Sequence, residues 1–413
     1  PLGKTNLDQF ATGLVGVRSP YGACQNSFDP TYVSGGSSAG SAVSVALGQV
    51  VFSLGTDTAG SGRVPASFNN LYGLKGTKGR VSCTGVVPAC QSLDCVTIFS
   101  TTAADAKAVW QVAGAFDPVD PFARPAVAAK AMPAAFTFGV PAAEQLGFFG
   151  DEAAEMLFWQ SVETLKALGG EAVTINLDPF VQAAKLLYEG PYVAERLAAI
   201  KAFFRDDPTR CLPVIQTIVG GAEKRAAVEA YEALYALQRY KRVTDAELAK
   251  VDFIVTPTAG TIYPIADVEA DPIQLNSNLG HYTNFMNLLD YCAIAIPSGF
   301  RITGSKRGLP FGVTLFAAAF QDDALLAIAD LWQRKLDLPL GATGQEFPAN
   351  TPVVAQPTNG MIDVLVCGAH LSGLPLNWQL TDRKAFLKQV TETAKAYRMY
   401  ALAGGPPYRP GLI

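Results

Sequence analysis

Histidine is nearly absent from this chain: its 413 residues include only His281 and His370. A two-histidine metal site would need both to converge, and a Ser-His-Asp triad would have to use one of them. Charge is scarce too, at 16% of residues against roughly 25% in an ordinary soluble domain, while 49% are hydrophobic. Such a chain has little surface to dress and a large core to fill, which excludes disorder. Lys and Arg number 32 against 36 Asp and Glu, for a net charge of −4. That leaves no basic excess to neutralise phosphates, so small molecules rather than nucleic acid are the expected partners. The seven cysteines (Cys24, Cys83, Cys90, Cys95, Cys211, Cys292, Cys367) contain no C-x-x-C pair and read as reduced, mostly buried thiols. No apolar run reaches about eighteen residues, and the opening PLGKTNLDQF has neither a basic n-region nor an apolar h-region. No membrane partner and a cytoplasmic location are expected.

What is present is an alternation of helix and strand patterns. Leu157, Phe158, Val162, Leu165 and Leu168 recur at helical spacing, with Asp151 and Glu152 in the first turn and Gly169-Gly170 at the end. A strand, EAVTINL, is expected after it. A second helical region covers about 222–249 and is followed by a buried strand, VDFIVTPTAG; AIAIPSGF and GLPFGVTLFAAAF are further apolar β-rich runs. This points to a layered α/β fold. The Pro-, Gly-, Thr- and Asn-rich stretch 338–360 reads as a linker. Beyond it, IDVLVCGAHLSGLPLN reads as a strand and loop, and 383–402 as an amphipathic helix with Phe386, Leu387, Val390, Ala394 and Tyr397 on one side. The expected domains are therefore 1–337 and 361–413.

Two serine-bearing glycine loops stand out, Gly35-Gly36-Ser37-Ser38-Ala39-Gly40-Ser41 and Asp57-Thr58-Ala59-Gly60-Ser61-Gly62-Arg63. Glycines let consecutive N–H groups point at one spot, which suits an oxyanion. A serine ending such a turn can attack a carbonyl while the preceding amides hold the developing charge. A hydroxyl needs a base, and with histidine so scarce a lysine is the natural candidate. Either loop alone is more often a plain turn. The first matches G-x-S-x-G, which would make Ser38 a hydrolase nucleophile if an acid and a histidine followed in order; such short matches are common by chance.

Taken together, GGSSAGSA and LGTDTAGSGRVPASFNNLYGLKGTKGRVS resemble the amidase signature family, with Gly76 where proline is usual. The resemblance implies an α/β/α layered fold with a mixed central sheet and a small C-terminal α+β domain. It implies Ser61 as the acyl-accepting nucleophile, Ser37 as a proton-relaying serine in a cis peptide, and Thr58, Ala59 and Gly60 as oxyanion-hole amides. It also calls for a lysine further upstream of Ser37 than the thirty-six residues that precede it here. Lys4 matches a neighbouring stretch and reads as a surface residue. The expectation is an amidase domain without its beginning, a second domain cut short, and an inactive chain if the sequence is complete as it stands.

Within the family, TAGSGR, SLDCVTIFS, NFMNLLDYCAIAIPSG and the trailing VCGAHLSGLPLNWQL are similar to the branch that hydrolyses allophanate (urea-1-carboxylate) in urea and cyanuric acid breakdown. That resemblance implies ammonia and carbon dioxide as products by way of N-carboxycarbamate, no cofactor and no metal, a small anionic amide as substrate, and a homodimer. Bidentate arginine reads a carboxylate best, and Arg196 with Tyr188 matches the substrate-contacting pair; their spacing of eight residues predicts one side of a single helix. Arg63, beside the nucleophile, reads equally as a structural residue. His370 is similar to a histidine linked to the second domain's chemistry, although a lone histidine after a strand is more often structural. His281 is unassigned. Cys83 to Cys95 have no basic neighbour to activate a thiol. The competing readings are an amidase of broader aliphatic or aryl specificity and a non-catalytic amidase-fold subunit.

Overall fold

The computed structural model of the chain describes residues 2–128, 131–301, 308–348, 350–354, 366, 370–383, 385, 399–401 and 410–412. The chain divides into two compact units, Pro1–Asn359 and Gly360–Ile413.

The larger unit is organised by one eight-stranded sheet. Its strands are β1 (Phe52–Asp57), β2 (Tyr72–Lys75), β3 (Cys95–Ser100), β4 (Phe136–Pro141), β5 (Gly170–Ile175), β6 (Phe253–Pro257), β7 (Tyr291–Phe300) and β8 (Pro310–Ala318), in the spatial order β1-β3-β2-β7-β8-β6-β4-β5. Pairing is antiparallel from β1 to β6 and parallel across β6-β4-β5. The sheet is therefore mixed. Around it run α1 (Ala39–Ala46), α2 (Val64–Phe68), α3 (Ala103–Ala113), α4 (Glu152–Ala167), α5 (Asp178–Tyr188), α6 (Tyr192–Asp206), α7 (Pro213–Gly220) and α8 (Ala227–Leu248). The short α9 (Ile265–Ala270), α10 (Gln274–Leu279) and α11 (Phe285–Leu288) follow, and then α12 (Asp322–Leu336).

Residues alternate between sheet faces with a period of two, so one strand feeds two cores. On one face Ile294, Ile296, Val313 and Leu315 join Trp110, Phe158, Leu165 and Trp332 from α3, α4 and α12. On the other, Tyr291, Ala293 and Phe316 join Phe180, Leu237 and Phe285 from α5, α8 and α11. A strand buried on both sides reads as a continuous apolar run, which is why β7 and β8 lack the alternation of an exposed sheet.

Local signals set several boundaries. Asp151 caps α4 by accepting from the Ala154 N–H, and Gly169 follows its end at φ +97°. The second helical region begins at Ala227 rather than 222, because Gly221–Lys224 forms a 3-10 turn and Ala226 is extended before the helix. Gly76 replaces the usual proline where the Trp110 ring closes in: a Cβ there would lie 2.4 Å from it.

Part of the stretch read as a linker is bound to the larger unit. Asn70 Nδ2 donates to the carbonyls of Pro339 and Gly341, and the Ala342 N–H donates to Ala46. In the smaller unit Trp378–Thr381 is a single helical turn, and Met399–Ala401 pairs antiparallel with Pro410–Leu412. Residues 399–401 are thus strand where helix was expected. The rest of that helix (386–398) and most of the strand expected at 362–368 lie outside the described residues.

Candidate active site

The second glycine turn leaves β1 at Asp57 and enters α2. Asp57 has no exposure and gathers the whole turn: Oδ1 accepts from the Gly60 N–H at 2.8 Å, Oδ2 from the Gly62 N–H at 3.1 Å, and both oxygens from Arg63 at 2.9 Å. Burial alone would push the Asp57 carboxyl up, but the Arg63 guanidinium and the amides outweigh it and hold it below its ordinary value. Arg63 is held further by the Thr283 carbonyl at 3.2 Å and Asn287 Oδ1 at 3.3 Å. It is a structural residue.

This clamp bears on one expected role. The Gly60 N–H faces the Asp57 carboxylate, so it is not free to receive an oxyanion. Among the described residues the amides of Thr58, Ala59 and Ser61 have no acceptor. Gly60 is required for another reason: its φ is +132°, and a Cβ would fall 2.3 Å from Thr283 Oγ1.

Ser61 is 2% exposed, and its Oγ donates to the Gly13 carbonyl at 3.4 Å. Ser37 is fully buried, follows a cis Gly36–Ser37 peptide, and its Oγ has no partner. Its carbonyl accepts from the Asp8 N–H at 3.0 Å. The adjacent Ser38 is engaged otherwise: its Oγ donates to the Thr56 carbonyl and accepts from the Thr56 N–H, each at 3.0 Å, and Ser41 Oγ donates to the Leu54 carbonyl at 2.9 Å. Ser38 is thereby fixed on the free edge of β1 and unavailable as the nucleophile of a G-x-S-x-G hydrolase.

Tyr188 and Arg196 meet, though not on one helix. Gly190 and Pro191 break the chain between α5 and α6, and the two side chains come together across the break. Arg196 Nη2 donates to the Tyr188 hydroxyl at 3.3 Å, and its guanidinium lies 5.3 Å from the ring centre. Nη1 donates to the Ala11 carbonyl at 3.3 Å and to Thr12 Oγ1 at 3.1 Å. Thr12 precedes Gly13, whose carbonyl receives the Ser61 hydroxyl. Arg196 is 3% exposed, no carboxylate hydrogen-bonds it among the described residues, and its Nε has no partner. Burial disfavours its charge, but Tyr188, Cys90, Asp94 and Glu195 around it more than compensate and set its pKa above the ordinary value.

A loop missed by sequence reasoning joins these parts. Asp94 accepts from the Ala89 and Cys90 amides at 2.9 and 3.1 Å and from the Thr58 hydroxyl. Nearby, the Ser92 N–H and Oγ donate to Glu195 at 2.6 and 2.8 Å. Burial raises the Asp94 carboxyl above its ordinary value, against the lowering by Thr58 and the two amides.

The remaining candidates lie elsewhere. His281 packs edge-on against Phe149 and Tyr282, and burial lowers its pKa. His370, in the smaller unit, has Nε2 3.1 Å from Gln379 Oε1, and its carbonyl accepts from Asn377. Lys4 is exposed. Cys83 and Cys90 are pushed up to about 12 by burial, which opposes a thiolate role. Among the described residues no group of three His, Cys, Asp or Glu is placed to hold a metal ion, and no helix is long and apolar enough to cross a membrane.

A buried serine in a turn with free neighbouring amides, carried on a mixed sheet between helical layers, is the arrangement expected of a serine hydrolase. The Amidase family model matches residues 1–326, and the chain belongs to that family. A second model, Allophanate hydrolase C-terminal domain, matches residues 362–413. The chain is 42% identical over 427 residues to urea amidolyase of Saccharomyces cerevisiae, covering all of this chain and 23% of that protein. It is 41% identical over 428 residues to urea amidolyase of Lachancea kluyveri, again over all of this chain and 23% of that protein. A solved structure of Kluyveromyces lactis allophanate hydrolase superposes with a TM-score of 0.84 at 40% identity, over all of this chain and 68% of its own. The chain thus spans about a quarter of the length of the urea amidolyases it matches.

Proposed function

We propose that the chain is the amidohydrolase part of an enzyme that cleaves allophanate. Ser61 Oγ attacks the terminal amide carbonyl, and its proton passes by way of Ser37 Oγ to the departing nitrogen, which leaves as ammonia. The oxyanion is held by the amides of Thr58, Ala59 and Ser61, each donor supplying about 3 kcal/mol. Water then cleaves the Ser61 ester, regenerating the hydroxyl and releasing N-carboxycarbamate, which loses carbon dioxide. None of these steps calls on a metal or cofactor. Ser37 needs a base, and the family resemblance assigns a lysine there; no described lysine donates to Ser37.

The observation that carries the substrate assignment is Arg196. A buried guanidinium without a carboxylate partner, bonded to Tyr188 and set one residue along from the carbonyl over Ser61, suits the carboxylate of a small anionic amide. The urea amidolyase and allophanate hydrolase relatives support the same reading, as does the match to the allophanate hydrolase C-terminal domain. We extend the proposal to urea degradation as the setting and to a cytoplasmic homodimer, which gel filtration checks. The test of the reaction is ammonia release from allophanate by the full-length protein and by Ser61→Ala. Turnover is expected to fall by about 10⁴-fold or more in the variant, with loss of labelling by a serine-directed fluorophosphonate. An unchanged rate refutes the assignment of Ser61.

A further inference from the structure

Buried polar side-chain atoms without a partner are uncommon in folded proteins. Here nine occur among the described residues: Arg18 Nε, Ser37 Oγ, Asn70 Oδ1, Arg196 Nε, Thr256 Oγ1, His281 Nε2, Thr283 Oγ1, Asn284 Oδ1 and Arg301 Nη2. Their distribution is uneven. Ser37 is the relay serine, and Arg18 and Arg196 both donate to Thr12 from other nitrogens. Three more fall in the four-residue stretch 281–284, where Thr283 touches the nucleophile turn.

Thr283 has no exposure. Its backbone is fixed from both sides: the N–H donates to the Gly280 carbonyl at 3.1 Å, and the carbonyl accepts from Arg63 at 3.2 Å. Its hydroxyl lies against Gly60, so close that a Cβ on Gly60 would sit 2.3 Å from Oγ1. A valine would fill the same volume without leaving a hydroxyl unpartnered, so close packing alone does not call for the oxygen. Gly60 immediately precedes Ser61, so this unpartnered oxygen packs against the residue next to the proposed nucleophile.

We propose that Thr283 is a specificity-determining residue whose hydroxyl accepts a hydrogen bond from an N–H of the substrate's ureido group while Arg196 holds the carboxylate. This rests on the reading of Ser61 as nucleophile and allophanate as substrate. The two interactions divide the substrate: Arg196 selects the anion, and Thr283 selects the nitrogen-bearing end over an ester or other acyl group of the same shape. A site built to bond an N–H rejects a ligand that lacks it more strongly than an apolar pocket rejects a change of size.

The experiment compares wild type, Thr283→Val and Thr283→Ser in the full-length protein on two substrates. Ammonia release from allophanate reads the ureido contact, and the labelling rate by a fluorophosphonate, which has no N–H, reads the serine machinery. Thr283→Val is expected to lower kcat/KM on allophanate by roughly 10- to 100-fold while labelling stays within about twofold, and Thr283→Ser is expected to recover most of the loss. If Thr283→Val does not fold, Thr283→Cys, similar in size but a weak acceptor, takes its place in the same comparison. An unchanged kcat/KM overturns the proposal. So does a parallel loss of labelling, which would mean that Thr283 only shapes the turn. If wild type releases no ammonia from allophanate but does so from another amide, the substrate reading has failed, and Thr283 is judged by the same variants on that amide.

Discussion

Arg63 and Arg196 are both buried arginines bonded to the segments that surround Ser61, and they differ in one respect. Arg63 has its charge matched by Asp57 in a two-oxygen pair and further acceptors on Thr283 and Asn287. Arg196 is bonded only to neutral oxygens and keeps a free Nε. A buried guanidinium that is fully bonded maintains shape, and one with an unbonded donor has room for a ligand. One side of the Ser61 turn is therefore finished by folding, and on the reading proposed above the other is finished by substrate.

Removing each arginine separates the two. Arg63→Ala leaves the Asp57 carboxylate buried and unpaired, and is expected to cost about 3–5 kcal/mol of stability, read as a lower midpoint in urea. Arg196→Ala is expected to lower that midpoint less and to lower kcat/KM on allophanate by roughly 100- to 1,000-fold, while a neutral amide is spared. A variant of Arg196 that loses both amides equally would erase the contrast.

A smaller effect sharpens it by titration. The Asp57 carboxyl is depressed in the folded state, so its contribution to stability is complete above the ordinary carboxylate pKa of about 4 and is lost as pH falls through the lower folded value. Thermal midpoints measured from neutral pH down to acid should therefore converge between wild type and Asp57→Asn as the acid is reached. Asp94, bonded to the same turn but raised by burial, has the opposite sign: it holds its proton more tightly when folded, so its ionisation weighs against the fold as pH rises past the ordinary value. The smallest expected change is Thr58→Val. It removes the hydroxyl bonded to Asp94 but not the Thr58 amide, and should lower turnover by less than about tenfold.

Local signals made much of this legible. Asp151 and Gly169 bound α4 by capping chemistry that acts within one turn, and the glycine loops announced both serines. What stayed hidden is carried by contacts between distant segments. Gly13 lies 48 residues from Ser61, Asp94 lies 36 from Thr58, and Thr283 lies 220 from Arg63; no pattern in a short window specifies such meetings. The Tyr188–Arg196 pair shows the mixed case. Their spacing suggests one helix, but that helix is broken at Gly190-Pro191, and side-chain bonding across the break brings them together instead. The direction of the Gly60 amide is likewise set by Asp57, three residues away but folded back onto it.

The hydroxyls of Ser38 and Ser41 have one more consequence. They occupy backbone groups of Thr56 and Leu54 along the outer border of the sheet, where half-exposed Phe52 and Leu54 would otherwise invite a strand from another molecule. The helix that begins beside Ser37 thus also covers this edge of the sheet against an added strand, and Ser38→Ala is expected to show first as aggregation in light scattering.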